Sequence, residues 1–115
     1  MTEPVHSIPV TSVPDPAADR VVVVDVREQD EWDKGHAPGA VHIPMADIPA
    51  RLDELDPDDE LFIVCRSGGR SFRVIQWLNT VGYDATNVTG GMVAWQKAGR
   101  TVVDSARPRF HLLDE

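Results

Sequence analysis

Short apolar runs alternate with segments of helical spacing along this chain, and this pattern predicts strands separated by helices. Residues 21–24 are four consecutive valines, and residues 61–64 are also continuously apolar. Such runs are typical of strands buried on both faces of a parallel sheet. Shorter strands are predicted at residues 41–43, which Pro44 closes, and at residues 85–88. The alternation predicts an α/β fold with a mainly parallel central sheet flanked by helices.

Two short helices are predicted between a polar start and a glycine stop. Residues 28–34 are polar around one large apolar side chain, Trp32, and Gly35 follows at a position that ends helices. Residues 92–98 follow a pair of glycines and stop at Gly99. Trp95 is expected to face inward from this last helix, because core packing is the usual role of a helical tryptophan.

Two further helices are predicted from apolar residues at helical spacing. The first has Asp47 as its expected N-cap. Its apolar stripe consists of Ile48, Leu52 and Leu55. The second helix is predicted over residues 71–81, with a stripe formed by Val74, Ile75, Leu78 and Val81. Phe72 lies off this stripe and is expected to stay partly exposed.

The two ends of the chain differ from its middle. Residues 1–19 contain four prolines, which restrict this arm to a short edge strand near residues 8–13. Residues 102–115 are expected to form a tail, and two alternatives are open for its apolar Phe110, Leu112 and Leu113, which either pack on the domain or stay loose. Between them, residues 20–101 are expected to form one domain, because a chain of 115 residues has room for one core.

Composition excludes several classes of protein. The chain is 42% hydrophobic and 26% charged, and no apolar stretch approaches the roughly 20 residues that span a bilayer. The formal net charge of −8 repels nucleic acid phosphates. The amino terminus lacks the basic and apolar regions of a secretory signal. A cytoplasmic protein that binds neither membrane nor nucleic acid is therefore expected.

The chemistry predicted for this chain centres on its single cysteine, Cys65. One cysteine forms no internal disulfide and no multi-thiolate metal site. Cys65 directly follows the predicted strand at residues 61–64, and ligands of parallel sheets bind at the carboxyl ends of strands. The segment that begins there is Cys65, Arg66, Ser67, Gly68, Gly69, Arg70 and Ser71.

This segment has the features of an anion-binding loop. Its glycines allow successive N–H groups to face one centre, and the following helix adds the positive end of its dipole. Arg66 and Arg70 add positive charge, with Arg73 one turn further on. These groups favour a thiolate, so the pKa of the Cys65 thiol is expected to be lowered.

A lower pKa increases the thiolate population but also weakens each thiolate as a nucleophile, so the net activation is only about threefold. The larger effect expected of the loop is to bind an anionic donor and hold a terminal sulfur. The alternative is that Cys65 is a small buried hydrophobe at the end of a strand, as lone cysteines often are. The surrounding glycines, arginines and helix favour the reactive interpretation.

Four ordered segments resemble the rhodanese-like domain family, over residues 20–101. They are Val24-Asp25-Val26-Arg27-Glu28, Gly35-His36-Ala37-Pro38-Gly39-Ala40 with the following Ile43-Pro44, the Cys65 to Ser71 loop, and Gly90-Gly91-Met92-Val93-Ala94-Trp95. Loop length separates this chain from the related dual-specificity phosphatases, which place five residues between cysteine and arginine. Here four residues separate Cys65 from Arg70.

The resemblance implies a sulfurtransferase that works in two half-reactions without cofactor or metal. Cys65 is the implied catalytic residue: it takes sulfane sulfur from an anionic donor such as thiosulfate and passes it to cyanide or a thiol. The implied substrate-binding residues are Arg66, Ser67, Gly68, Gly69, Arg70, Ser71 and Arg27. Asp25 is expected to brace loops, and His36 is expected to be structural because it lies in a Gly-His-Ala-Pro-Gly turn.

Two alternatives remain within this family. One is a binding module that recognises a protein without turnover, but the usual mark of such a module is loss of the cysteine. The other is a relay that accepts sulfur from a desulfurase and passes it to a sulfur-carrier or other biosynthetic protein. The relay would use the same chemistry at Cys65 with protein partners.

Overall fold

A five-stranded parallel sheet forms the centre of the computed structural model, which describes residues 4–104. Across the sheet the strand order is β1-β5-β4-β2-β3, and every neighbouring pair is parallel. The predicted α/β fold is therefore confirmed. In chain order the strands are β1 (His6–Pro9), β2 (Val21–Asp25), β3 (Val41–His42), β4 (Glu60–Val64) and β5 (Ala85–Thr89).

Both faces of the central strands β2 and β4 are buried, which explains their continuous apolar sequences. Val23 pairs with Phe62 in one hydrophobic cluster, and the next pair, Val24 with Ile63, belongs to the cluster on the other face. Both valines and Ile63 are completely buried. Successive side chains of these strands thus point to opposite faces of the sheet. Since both faces are buried, the strands do not alternate between apolar and polar residues.

Residues 4–104 contain three α-helices: α1 (Gln29–Lys34), α2 (Gly69–Thr80), which packs on strands β4 and β5, and α3 (Gly91–Lys97). Helix α1 begins with a capping box between Glu28 and Glu31. Helix α2 starts two residues before its predicted start, and it buries Val74, Ile75 and Leu78 as expected. Phe72 is exposed, as predicted, but the assignment of Val81 to the buried stripe is wrong. That residue lies beyond the end of α2 and is 40% exposed.

The predicted α-helix beginning at Asp47 does not form. The chain instead makes two short 3-10 helices, Met45–Asp47 and Leu52–Glu54, on either side of a turn. Arg51 has φ −113° and ψ 19° and interrupts the helical path. A segment this short has little helical stability of its own, so packing decides its shape. Ile48 and Leu55 still enter the core, so the apolar spacing was informative although the helix was wrong.

The amino-terminal arm is attached to the domain at two points. Strand β1 lies at the sheet edge and pairs with β5, slightly earlier in the chain than the predicted edge strand. A 3-10 helix, Val10–Ser12, follows it. Val10 and Val13 are buried, and Arg100 Nη1 donates hydrogen bonds to the carbonyl oxygens of both, at 2.8 and 2.7 Å. The arm therefore completes the core.

The start of the predicted tail is also attached. Val103 and His36 exchange two backbone hydrogen bonds of 2.8 Å in an antiparallel bridge. The tail residues Phe110, Leu112 and Leu113 lie outside the described residues. Within residues 4–104, no helix is both long enough and apolar enough to span a bilayer.

Candidate active site

The structure places Cys65 immediately after β4, at the carboxyl edge of the sheet. Helix α2 begins four residues further along the chain. The residue as a whole is only 1% exposed. It nevertheless borders an open cavity of about 330 Å³. The lining of this cavity consists of Met45, Cys65, Ser67, Gly69, Arg70 and Arg73. The sulfur is thus held by the fold yet adjacent to space for a small ligand.

The loop after Cys65 turns back so that its polar groups face the sulfur. The amide of Gly68 donates to Cys65 Sγ at 3.0 Å. Gly68 has φ +122°, a conformation that residues with a Cβ rarely adopt, so glycine is needed for this turn. The hydroxyl of Ser71 lies 3.4 Å from the same sulfur. Both a backbone amide and a side-chain hydroxyl of its own loop therefore lie beside the sulfur.

Asn87 of β5 extends this network, although nothing in the sequence had marked it as a site residue. Ser71 Oγ lies 2.5 Å from Asn87 Oδ1 and 3.1 Å from the carbonyl oxygen of Gly68. Asn87 is itself buried, and its Nδ2 donates to Ser7 Oγ at 3.2 Å. A serine hydroxyl has one proton, so Ser71 donates either to one of these oxygens or to Cys65. When Cys65 is ionised, the negative charge on its sulfur favours the hydroxyl orientation in which Ser71 donates to that sulfur.

The pKa of the Cys65 thiol is lowered, as predicted, and the predicted loop amides are among the causes, together with the Ser71 side chain, which the prediction had not included. Burial raises the pKa of this thiol. Hydrogen bonds from the Ser71 side chain and from the amides of Ser71, Gly68 and Ser67 outweigh burial, and the pKa falls below its ordinary value. These hydrogen-bond donors are the main stabilisation of the thiolate, and the charge of Arg70 attracts the thiolate in the same direction.

The arginines of the loop occupy three different environments. Arg70 lines the cavity, but its Nη1 and Nη2 donate to the two carboxylate oxygens of Glu31 at 2.7 and 2.9 Å. This ion pair holds the pKa of Glu31 well below its usual range, at about 2. Arg73 also lines the cavity, whereas Arg66 is exposed and lies outside the lining. The second arginine of the cavity lining is therefore Arg73, whereas the sequence had indicated Arg66.

Helix α3 holds the backbone of the Cys65 loop from the other side. The amide of Met92 donates to the carbonyl oxygen of Cys65 at 2.8 Å, and the amide of Val93 donates to that of Arg66 at 3.1 Å. These are free amides of the first turn of α3. Gly91 makes this approach possible, since a Cβ built there would lie 2.2 Å from the Cys65 carbonyl oxygen.

Asp25 and Arg27 form a buried pair at the end of β2. Arg27 Nε and Nη2 donate to the Asp25 carboxylate at 2.9 and 2.7 Å. Nη2 also donates to the carbonyl oxygen of Gly35 at 2.7 Å. The pair thus ties β2 to the end of α1, which matches the bracing role expected of Asp25. Arg27 makes its hydrogen bonds within the same framework and is not among the residues that line the cavity, so its expected contact with substrate stays a prediction.

His36 lies outside the cavity lining and makes structural contacts. Its Nδ1 is 2.8 Å from the carbonyl oxygen of Trp32, and its ring stacks on the Trp32 ring at a centroid distance of 3.5 Å. His42 stacks on the same indole at 4.7 Å. Trp32 is therefore partly covered by two imidazoles rather than by the apolar core, where Trp95 is 1% exposed.

Three residues of the site escaped sequence reasoning. Asn87 was detectable as an amide within a buried strand, Ala85–Thr89. Met45 and Glu31 gave no local signal, because their positions depend on how distant segments meet. Among residues 4–104, no group of three or more histidine, cysteine, aspartate or glutamate side chains is placed to hold a metal ion.

A parallel sheet with a cysteine and a glycine-rich loop at its carboxyl edge defines a class of α/β domains. The chain belongs to the rhodanese-like domain family, whose model matches residues 13–98. This match confirms the resemblance found in the sequence, and it includes part of the amino-terminal arm.

Relatives and solved structures agree with this assignment. The chain is 45% identical over 80 residues to YtwF of Bacillus subtilis, a candidate sulfurtransferase by name, which covers 70% of this chain and 78% of that protein. It is 38% identical over 84 residues to a sulfurtransferase of Allochromatium vinosum, and this match covers 72% of this chain and 78% of that protein. A rhodanese-related protein of Thermoplasma volcanium superimposes with a TM-score of 0.78 at 26% identity, covering 85% of this chain and 97% of that one.

Proposed function

We propose that this chain is a rhodanese-type sulfurtransferase that carries sulfane sulfur as a persulfide on Cys65. The observation that carries the proposal is the placement of the Cys65 sulfur. This sulfur accepts a hydrogen bond from the amide of Gly68 and lies in contact with the Ser71 hydroxyl, beside a cavity lined by two arginines. Such an environment favours a thiolate and suits an anionic sulfur donor. The similarity to proteins named as sulfurtransferases supports the same reaction class.

In the first half-reaction, the Cys65 thiolate attacks the outer sulfur of a donor such as thiosulfate. A new S–S bond forms on Cys65, the S–S bond of the donor breaks, and its electron pair leaves with sulfite. In the second half-reaction, cyanide or a thiolate attacks the terminal sulfur. The Cys65–sulfur bond breaks, its electron pair returns to Cys65 Sγ, and thiocyanate or a new persulfide leaves. No external oxidant or reductant is required.

The loop amides have a second role in this proposal. A persulfide extends one sulfur beyond Sγ towards the cavity, where its negative charge needs hydrogen-bond donors. The amides of Ser67, Gly68 and Ser71 already stabilise the Cys65 thiolate and are donors of this kind. Because they are fixed before reaction, the charge that moves to the terminal sulfur needs little rearrangement. The proposed partners are therefore a small anionic donor and a thiol or cyanide acceptor.

Intact-mass spectrometry tests the proposal directly. The native protein is incubated with thiosulfate, desalted and then treated with cyanide. We expect a mass gain of one sulfur atom per chain that cyanide removes. Cys65 is the only cysteine, so Cys65→Ser must gain nothing if the sulfur is bound there.

The matched control is the native sequence unfolded in urea, which retains the Cys65 thiol but not the loop. It is expected to load far more slowly than the folded protein. If the folded protein gains no sulfur from thiosulfate or from a persulfide donor, the transferase proposal fails. A protein-binding module would then be the better description.

A further inference from the structure

The ion pair between Arg70 and Glu31 points to a determinant of donor charge. Arg70 and Arg73 are the cationic side chains in the cavity lining. Glu31 lies 39 positions from Arg70 in the chain, yet its carboxylate accepts two hydrogen bonds from that guanidinium. We propose that Glu31 is a specificity-determining residue, which lowers the preference of this site for doubly charged sulfur donors relative to singly charged ones.

Glu31 opposes the charge of Arg70 because the two groups are close and both are ionised. Their side chains are 25% and 30% exposed, so water screens the pair only in part. The pKa of Glu31, about 2, keeps its carboxylate charged throughout the physiological range. Glu28 also attracts Arg70 and acts in the same direction.

Arg73 differs from Arg70 in this respect. Within residues 4–104, Arg73 forms no ion pair with a carboxylate. The positive charge that a ligand meets in the cavity is therefore close to that of one guanidinium rather than two. Removal of the Glu31 charge alone would therefore restore the effect of the second guanidinium charge, that of Arg70.

Donor charge determines how much this difference matters. At the same position, a dianion interacts twice as strongly as a monoanion with each charge in the cavity. Release of Arg70 from its carboxylate therefore assists a dianion more. For groups at a partly solvated surface, this corresponds to roughly a threefold to tenfold change in relative specificity.

Thiosulfate and methanethiosulfonate form a suitable pair of probes. Both offer an outer sulfur bound to an oxidised sulfur, and the second replaces one oxygen of thiosulfate by a methyl group, which removes one charge. In both cases the Cys65 thiolate attacks the outer sulfur and the S–S bond breaks. Its electron pair leaves with sulfite or with methanesulfinate. This inference rests on the proposed sulfur transfer at Cys65.

The test compares kcat/KM for the two donors, with cyanide as acceptor, in the native protein and three variants. In Glu31→Gln, we expect the ratio of thiosulfate to methanethiosulfonate specificity to rise about threefold to tenfold, mainly through KM for thiosulfate. In Arg70→Gln, the ratio should fall, because an unopposed carboxylate remains. In the double variant, it should return close to the native value. The rise in Glu31→Gln should diminish at high salt.

A purely structural role for Glu31 would change both donors equally and leave the ratio constant. An unchanged or lower ratio in Glu31→Gln would therefore overturn the inference. If Glu31→Gln does not fold, an unchanged ratio in Arg70→Gln overturns it equally. Failure of the proposed function gives a different result, since the native protein would then take sulfur from neither donor.

Discussion

Substitution of Gly91 by alanine is expected to displace the loop that carries Cys65. Gly91 has φ +56°, a left-handed conformation that costs an alanine about 1–2 kcal/mol. The new Cβ would lie 2.2 Å from the carbonyl oxygen of Cys65 and 2.6 Å from that of Arg66. Both obstacles are backbone atoms, so a side-chain rotation cannot relieve the clash.

The expected loss of stability follows from these contacts. The two chain segments must separate by roughly 1 Å, an overpacking effect that typically costs about 1–3 kcal/mol. The hydrogen bonds from the amides of Met92 and Val93 to the loop are also weakened, at about 1 kcal/mol each. Together with the backbone conformation, these effects predict that Gly91→Ala loses about 4–7 kcal/mol of unfolding free energy.

Urea unfolding followed by tryptophan fluorescence measures this loss, and Gly99→Ala is the matched control. Gly99 has a similar left-handed φ of +77°, but a Cβ added there would meet no neighbouring side chain or backbone atom within 4 Å. This control should lose only about 1–2 kcal/mol. Folded Gly91→Ala should also load sulfur on Cys65 at least about tenfold more slowly, since its loop is displaced. If both variants lose the same stability, the proposed close contact between α3 and the loop is refuted.

Three further substitutions test the hydrogen bonds and ion pairs of the site. Ser71→Ala removes a donor to the Cys65 sulfur, so the pKa of that thiol should rise, and iodoacetamide should alkylate it about twofold to threefold more slowly at neutral pH; an unchanged pH profile of alkylation would contradict the assigned contact. Asp25→Asn leaves Arg27 buried without its carboxylate and should cost about 3 kcal/mol in urea unfolding, and a loss below about 1 kcal/mol would show that the pair is dispensable. Glu31 has a folded-state pKa of about 2, below its ordinary value of 4.5, so its ion pair stabilises the fold above that ordinary value and is lost as the pH falls towards 2. Stability of the native protein should therefore decrease more steeply over this pH window than that of Glu31→Gln, and parallel curves would rule out the contribution.

The sheet and the position of the reactive cysteine could be predicted because their signals are local. A run of valines at residues 21–24 needs burial on both faces, whichever segments supply the contacts. Similarly, a glycine-rich loop between a strand and a helix predicts where backbone amides will face a ligand. Cys65 occupies such a loop, so sequence alone indicated both its place in the fold and the lowered pKa of its thiol.

The segment after Asp47 shows where local signals failed. Its apolar spacing correctly indicated that Ile48 and Leu55 are buried, yet two tight turns achieve the same burial as a helix. Spacing specifies which side chains face the core, but it does not specify the backbone path of a short segment. Packing against the sheet decided that path.

The charges of the site were determined by tertiary structure. The sequence placed Arg70 beside Cys65 but contained no sign that Glu31 would pair with it, because 39 positions separate the two residues. The Ser71 to Asn87 contact likewise joins residues 16 positions apart, on different elements. A hydrogen bond or ion pair has a range of a few ångströms, so it depends on how the folded chain brings segments together. The sequence thus determined the chemistry available at Cys65, and the tertiary structure decided which groups stabilise its thiolate and which arginine charge is neutralised.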